Sequence, residues 1–127
     1  MAERAFPVVV ATSVSTTAAF YEQLGFERFF QLPEEGEPGY AGLRRGVYEV
    51  AVVDAAWPPQ HYGATVGGGV RFELFVYVDA VDDLVEVLRA GGTEILREPE
   101  TMPWGERVAY VSDPDGNPVA LATAPAG

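Results

Sequence analysis

The run Ala19-Phe20-Tyr21-Glu22-Gln23-Leu24-Gly25-Phe26 reads as the closing turns of a helix and the first residue of a strand. Ala18, Phe20 or Tyr21, and Leu24 recur at helical spacing and give one apolar face to a helix from Thr17 to Leu24. Ser13, Ser15 and Thr16, just ahead, carry the short hydroxyl side chains that cap helix N-termini. Gly25 ends the helix, because glycine takes the left-handed conformation at no steric cost. Upstream, Phe6 to Ala11 is rich in β-branched residues and reads as a strand; downstream, Phe26 to Leu32 reads as a second. A polar loop, 33–39, follows. Tyr40 to Arg44 and Val47 to Val53 are then two more strands joined by a tight turn at Arg45-Gly46. The order is βαβββ.

The same order recurs. Phe72 to Val78 reads as a strand, and Asp79 or Asp82 caps a helix to about Arg89 in which Val81, Leu84, Val85 and Leu88 share a face. Gly91-Gly92 stops it. Thr93 to Glu98 is a strand, Pro99 to Gly105 a loop, and Arg107 to Val111 a strand. Asp113-Pro114-Asp115-Gly116-Asn117 is a turn in which aspartate oxygens accept from backbone N–H groups and Gly116 supplies a positive φ. Pro118 to Ala122 is the last strand. An offset of 67 carries Gly25 onto Gly92 and Phe6 onto Glu73, and an offset of 70 carries Gly46 onto Gly116 and Val50 onto Ala120. Residues 55–70 hold Trp57-Pro58-Pro59 and Gly67-Gly68-Gly69, a composition that resists regular structure and reads as a connector. The expectation is one α+β domain over residues 1–127, with half-units at about 5–54 and 71–122. Two βαβββ modules place helices on one face of each sheet, so the other face is either buried by something else or forms a concave cleft.

Composition narrows the function. The 127 residues are 48% hydrophobic, enough for a core; a domain of this size buries roughly two thirds of its unfolded surface. No apolar run approaches the ~20 residues of a membrane span. Met1-Ala2-Glu3-Arg4 lacks the basic and apolar regions of a signal peptide, which points to a cytoplasmic protein. Cysteine is absent, so disulfides and thiolate metal sites are excluded. The formal charge is −11 and all 8 basic residues are Arg. Nucleic acid is therefore not an expected partner, since phosphate binding needs a basic surface. Gly67-Gly68-Gly69 lacks the Lys-Ser/Thr ending of a phosphate loop.

Two stretches carry a family resemblance: Ala19 to Phe26, and Pro103-Trp104-Gly105-Glu106-Arg107 through Asp113-Pro114-Asp115-Gly116-Asn117-Pro118. They resemble the "FY…LGF" and "PWG…DPDGN" signatures of the vicinal-oxygen-chelate group, which includes glyoxalase I, bleomycin-resistance protein and extradiol dioxygenase. The similarity runs from about Phe6 to Leu121. In the metal enzymes of that group, one divalent ion is held by four side chains from the first and last strand of each half. The resemblance implies Phe6, Glu73, Val50 and Ala120 at these places. Three of the four cannot ligate, so no metal and no cofactor is expected. Glu49 adjoins Val50 but points to the opposite face of the strand by this count.

Strand alternation then fills the cleft. Leu74, Val76 and Val78 suit the helix layer, leaving Glu73, Phe75 and Tyr77 on the other side. The same parity puts Phe6, Val8 and Val10, with Tyr48, Val50 and Val52, on the concave face. An aromatic surface with few polar groups is typical of a small-molecule pocket. It equally suits packing of a dimer or of the opposite half. Glu73 among aromatic rings would lose solvation if buried, and would need Arg71, Arg107 or a cationic ligand as partner. Trp57 and Trp104 are placed in loops where each can stack on a planar or cationic ligand, Trp57 as a lid with His61 and Tyr62.

The leading expectation is a metal-independent binding protein similar to the bleomycin-resistance branch, which Leu43-Arg44-Arg45-Gly46 and Val47-Tyr48-Glu49-Val50 also resemble. The resemblance implies antibiotic resistance by drug binding: a homodimer sequestering an aromatic or cationic, antibiotic-like molecule in its cleft. The expected ligand-binding residues are Phe6, Tyr48, Trp57, Glu73, Phe75, Tyr77 and Trp104. The alternative is a glyoxalase- or dioxygenase-type lyase or isomerase, with Glu73 as base or sole metal ligand. A catalytically silent regulatory domain is a third possibility.

Overall fold

The computed structural model describes residues 4–125. Met1 to Glu3, part of the segment read above as lacking a signal peptide, lie outside the described residues. The chain divides into two compact units, and the boundary falls between Gly67 and Gly68, inside the glycine run. Together they hold two four-stranded mixed sheets and, among the described residues, three helices, an α+β architecture. Among the described residues, no helix is long and apolar enough to cross a membrane.

The first unit contains β1 (Val8–Ala11), α1 (Val14–Glu22), β2 (Glu27–Leu32), β3 (Tyr40–Arg45), β4 (Tyr48–Asp54) and α2 (Trp57–Tyr62). Its sheet order is β1-β4-β3-β2, with β1 parallel to β4 and the remaining pairs antiparallel. Val9, Ala41, Leu43, Val50 and Val52 are buried on the helix side, beneath the buried Val14, Thr17, Ala18 and Tyr21 of α1. Tyr21 is fully buried and meets Phe20 and Phe26 edge-on, with ring centroids 5.1 and 6.1 Å apart. The run Ala19 to Phe26 thus locks the helix end to the sheet. Gly25 at φ 94 provides the left-handed stop.

Helix α1 starts three residues earlier than Thr17. Ser13 is the N-cap, and its Oγ accepts from the Thr16 N–H at 3.2 Å. The Glu37 carboxylate from the 33–39 loop accepts from the Ser15 N–H at 3.3 Å, adding negative charge at the positive end of the helix dipole. The connector also departs from expectation, because α2 forms over Trp57–Tyr62. Pro58 and Pro59 lie in its first turn, where a missing N–H breaks no intrahelical bond, and Gly63 at φ 76 ends it. The hairpin turn is Gly46-Val47, since Arg45 pairs with Tyr48.

The second unit contains β5 (Leu74–Tyr77), α3 (Val81–Ala90), β6 (Ile95–Thr101), β7 (Arg107–Ser112) and β8 (Pro118–Thr123), in sheet order β5-β8-β7-β6. Neither Asp79 nor Asp82 caps α3. Ala80 is the N-cap, and Thr123 Oγ1 from β8 accepts from the Val81 N–H at 3.2 Å. Strand β6 runs through Pro99, read above as loop. It is an edge strand with a register shift between Arg97 and Glu100, the two settings in which a sheet tolerates proline. The 113–117 turn forms as expected. Asp113 Oδ1 accepts from the Asp115 and Asn117 N–H groups at 2.8 and 2.9 Å, and Gly116 has φ 86.

Candidate functional site

The sheet of the first unit turns one face toward α1; the other carries a hollow. Register decides which residues line it. Phe30 pairs with Gly42, Gly42 with Ala51, and Arg44 with Glu49. Glu49 and Ala51 therefore share the face of Gly42, while Tyr48, Val50 and Val52 alternate to the other side. This corrects the parity inferred from the glycine offset. The two hairpins differ in length, two residues at Gly46-Val47 against five at 113–117, so counting from their glycines shifts the face. Tyr48 stands at the hairpin end with 73% of its surface exposed, turned away from the hollow.

The hollow is a cavity of about 330 Å³ lined by Arg4, Phe6, Phe29, Phe30, Tyr40 and Glu49, with Gly42 and Ala51 at its floor. A Cβ at Gly42 would crowd the Phe29 ring, approaching its Cζ to 3.2 Å. Phe30 and Tyr40 meet edge-on at 5.9 Å, and Tyr40 contacts Trp57 at 5.4 Å. Trp57, on α2 and not in a loop, stacks on His61 at 3.9 Å. His61 Nδ1 lies 3.0 Å from the Trp57 carbonyl oxygen. The aromatic wall thus extends from β2 through β3 to α2.

Glu49 is the carboxylate that lines this cavity. Its oxygens accept from Arg4 Nε and Nη2, both at 2.6 Å, and the Arg4 guanidinium lies 5.1 Å over the Phe6 ring. The hydrogen bond from Arg4 holds the Glu49 carboxyl below the usual carboxylate range, and the same bond raises Arg4. Phe6 precedes β1 and is half-buried at the cavity wall.

In the second unit, Phe75 and Tyr77 point away from α3, as alternation predicts, and are 43% and 50% exposed. Their rings are 5.4 Å apart. Glu73 precedes β5, is exposed, and makes no ion pair among the described residues. Arg107, one of its expected partners, instead forks onto Asp82, with Nε and Nη2 each 2.9 Å from a carboxylate oxygen. The acidic residue beside the aromatic cluster is Glu106. It accepts from the Tyr77 hydroxyl at 2.7 Å and from the exposed Trp104 Nε1 at 2.8 Å. The bond to Glu106 raises the Tyr77 phenol above its ordinary value. The free face beneath is packed by Met102, Val108, Ala120 and Ala122 with Tyr110.

The family model for the glyoxalase/bleomycin resistance protein/dioxygenase superfamily matches residues 6–121. The chain belongs to this superfamily. Among solved structures, it is similar to a superfamily enzyme from Burkholderia phytofirmans PsJN at 22% identity, covering 93% of this chain and 95% of that one, with TM-score 0.80. A lactoylglutathione lyase from Agrobacterium tumefaciens matches at 18% identity, with coverages of 97% and 95% and TM-score 0.71. A bleomycin-binding protein solved with bleomycin matches at 23%, with coverages of 97% and 99% and TM-score 0.62. These likenesses establish the shared fold. No curated protein sequence matches the chain.

The metal of the superfamily's enzymes does not fit this donor set. The side chains of Phe6, Val50 and Ala120 offer no lone pair, Glu73 stands in solvent, and Glu49, the neighbour of Val50, is engaged by Arg4. Among the described residues, no three His, Asp or Glu side chains come together as a metal would require. Sequence reasoning missed Arg4, Phe29, Phe30, Tyr40, Glu49 and Glu106. Counting alternation from β3 through the two-residue turn would have found Glu49, and Glu106 lies inside the quoted signature.

Proposed function

We propose that this superfamily member binds a planar aromatic or cationic small molecule without a metal, as a sequestering protein of the bleomycin-resistance type. The single observation that carries this reading is the cavity of the first unit, walled by Phe6, Phe29, Phe30 and Tyr40 around one carboxylate. Its volume of about 330 Å³ lies at the small end of the roughly 300–1,000 Å³ typical of ligand pockets. Apolar walls with few polar groups are suited to holding a ring system, and aromatic contacts contribute about 0.5–1.5 kcal/mol each beyond area burial. The bleomycin-binding neighbour supports a drug-like occupant. The reading extends to one working domain, in the cytoplasm, acting as a homodimer whose cleft holds the ligand. Val8, Phe75 and Tyr77, exposed on β1 and β5, favour an associated chain. The lyase or isomerase alternative centres on Glu73, which is exposed and does not line this cavity.

The test is titration of metal-stripped protein with a planar acridinium dye, followed by tryptophan fluorescence, beside sedimentation for the oligomeric state. Saturable binding that is lost in Tyr40→Ala is expected. Binding or turnover that appears only on adding a divalent ion would overturn metal independence.

A further inference from the structure

The mouth of the cavity already holds a cation, and that cation is part of the chain. Arg4 meets Glu49 side-on, with Nε and Nη2 each 2.6 Å from a different carboxylate oxygen, and its Cζ lies over the Phe6 ring, 5.1 Å from the centroid. A bidentate fork onto a carboxylate combined with ring stacking is the recognition pattern of a planar guanidinium or amidinium, not of a compact ammonium. We infer that Glu49 and Phe6 form an amidinium-binding subsite that Arg4 occupies in the free protein, and that a ligand carrying such a group displaces it. The inference rests on the proposed reading of the cavity as a ligand site.

The two halves of the pair are unequally held. Glu49 belongs to β4, and its side chain is 16% exposed; Arg4 precedes β1, and its side chain is 61% exposed. The segment is pinned at Pro7, whose carbonyl accepts from the Ala51 N–H at 3.0 Å. Arg4 lies three residues further out, with reach to leave. An exposed ion pair gains little over two hydrated ions, so its exchange for an equivalent pair costs little. Arg44 sits across the ladder from Glu49, but its guanidinium lies 5.0 Å over the Phe29 ring. An incoming aryl amidinium gains what Arg4 cannot supply: a ring that enters the cavity against the wall formed by Phe30 and Tyr40 while its charged end takes the fork. The net charge of −11 adds a general attraction for cations.

Calorimetric titration with benzamidine, its neutral analogue benzamide, and benzoate tests this in wild type, Arg4→Ala, Arg4→Gln and Glu49→Gln, with circular dichroism confirming each fold. Removing the competing arginine should tighten benzamidine about two- to fivefold relative to benzamide, the range set by an exposed ion pair. Glu49→Gln should weaken benzamidine by at least about tenfold, the loss of a charged hydrogen bond, and erase its advantage over benzamide. Benzamide binding with benzamidine indifferent to both Arg4 variants would overturn the subsite and leave the cavity reading standing. Benzoate binding that Arg4→Ala abolishes would make Arg4 an anion receptor and overturn the displacement. Failure of all three probes in every variant would remove the cavity reading, and the subsite with it.

Discussion

In the first unit, Gly42 and Ala51 face each other across β3 and β4 and leave a hollow ringed by aromatic side chains. In the second, Tyr110 pairs with Ala120 and Val108 with Ala122 across β7 and β8, and Met102 closes over them. Each unit places a carboxylate beside its aromatic cluster. Glu49 is matched by a guanidinium, Glu106 by two neutral donors, a phenol and an indole. One order of elements therefore carries a hollow with a neutralised charge and a filled face with an unneutralised one. The backbone route sets where the faces lie; side-chain volume and the choice of donor set what they offer.

The comparison predicts equality where the units agree. Leu43 and Leu121 are both fully buried on the helix side of their sheets. Leu43→Ala and Leu121→Ala should each cost about 2–5 kcal/mol in urea denaturation, the usual range for a buried leucine. A large difference between them would show that the two cores do not contribute alike.

Where the units differ, one substitution should make the first resemble the second. Ala51→Leu fills the hollow. It should abolish binding of planar probes in calorimetry while costing about 1–3 kcal/mol of stability as overpacking. Retained binding would move the ligand site elsewhere.

The helix caps sharpen the contrast on a smaller scale. Helix α1 is capped by its own Ser13, whereas α3 borrows Thr123 from the last strand. Ser13→Ala should cost about 1 kcal/mol, and Thr123→Val a similar amount although it lies outside any helix, since each removes a cap acceptor. Unfolding midpoints check both.

The two carboxylates should respond at opposite ends of the pH scale. Arg4 lowers Glu49, so that pair's stabilisation is present above the unfolded carboxylate value of about 4 and is lost as pH falls through the lower folded value. Glu106 raises Tyr77, so that contribution is present below the phenol's ordinary value of about 10 and is lost as pH rises through the higher folded one. Arg4→Gln should move the Glu49 carboxyl titration upward by NMR, and Glu106→Gln should move phenolate formation at Tyr77 downward by ultraviolet absorbance. Absence of either movement would remove the corresponding contact.

What the sequence by itself determined is the repeated βαβββ order, the apolar helix face at Ala18, Tyr21 and Leu24, the stop at Gly25 and the aspartate turn at 113–117. These rest on local chemistry: period, glycine conformation and short-range hydrogen bonds act over a few residues. The outward pair Phe75 and Tyr77 was legible for the same reason, because alternation within one strand needs no partner. Only the tertiary structure decided which face Glu49 takes, since parity between strands passes through a turn whose length had to be known. It alone brought Arg4 onto a carboxylate 45 positions away, Tyr77 onto Glu106 and Arg107 onto Asp82. It alone showed that two prolines open α2 and that Thr123 caps α3. A hydrogen bond between distant residues depends on where the chain returns, and the local spacing of residue types does not contain that information.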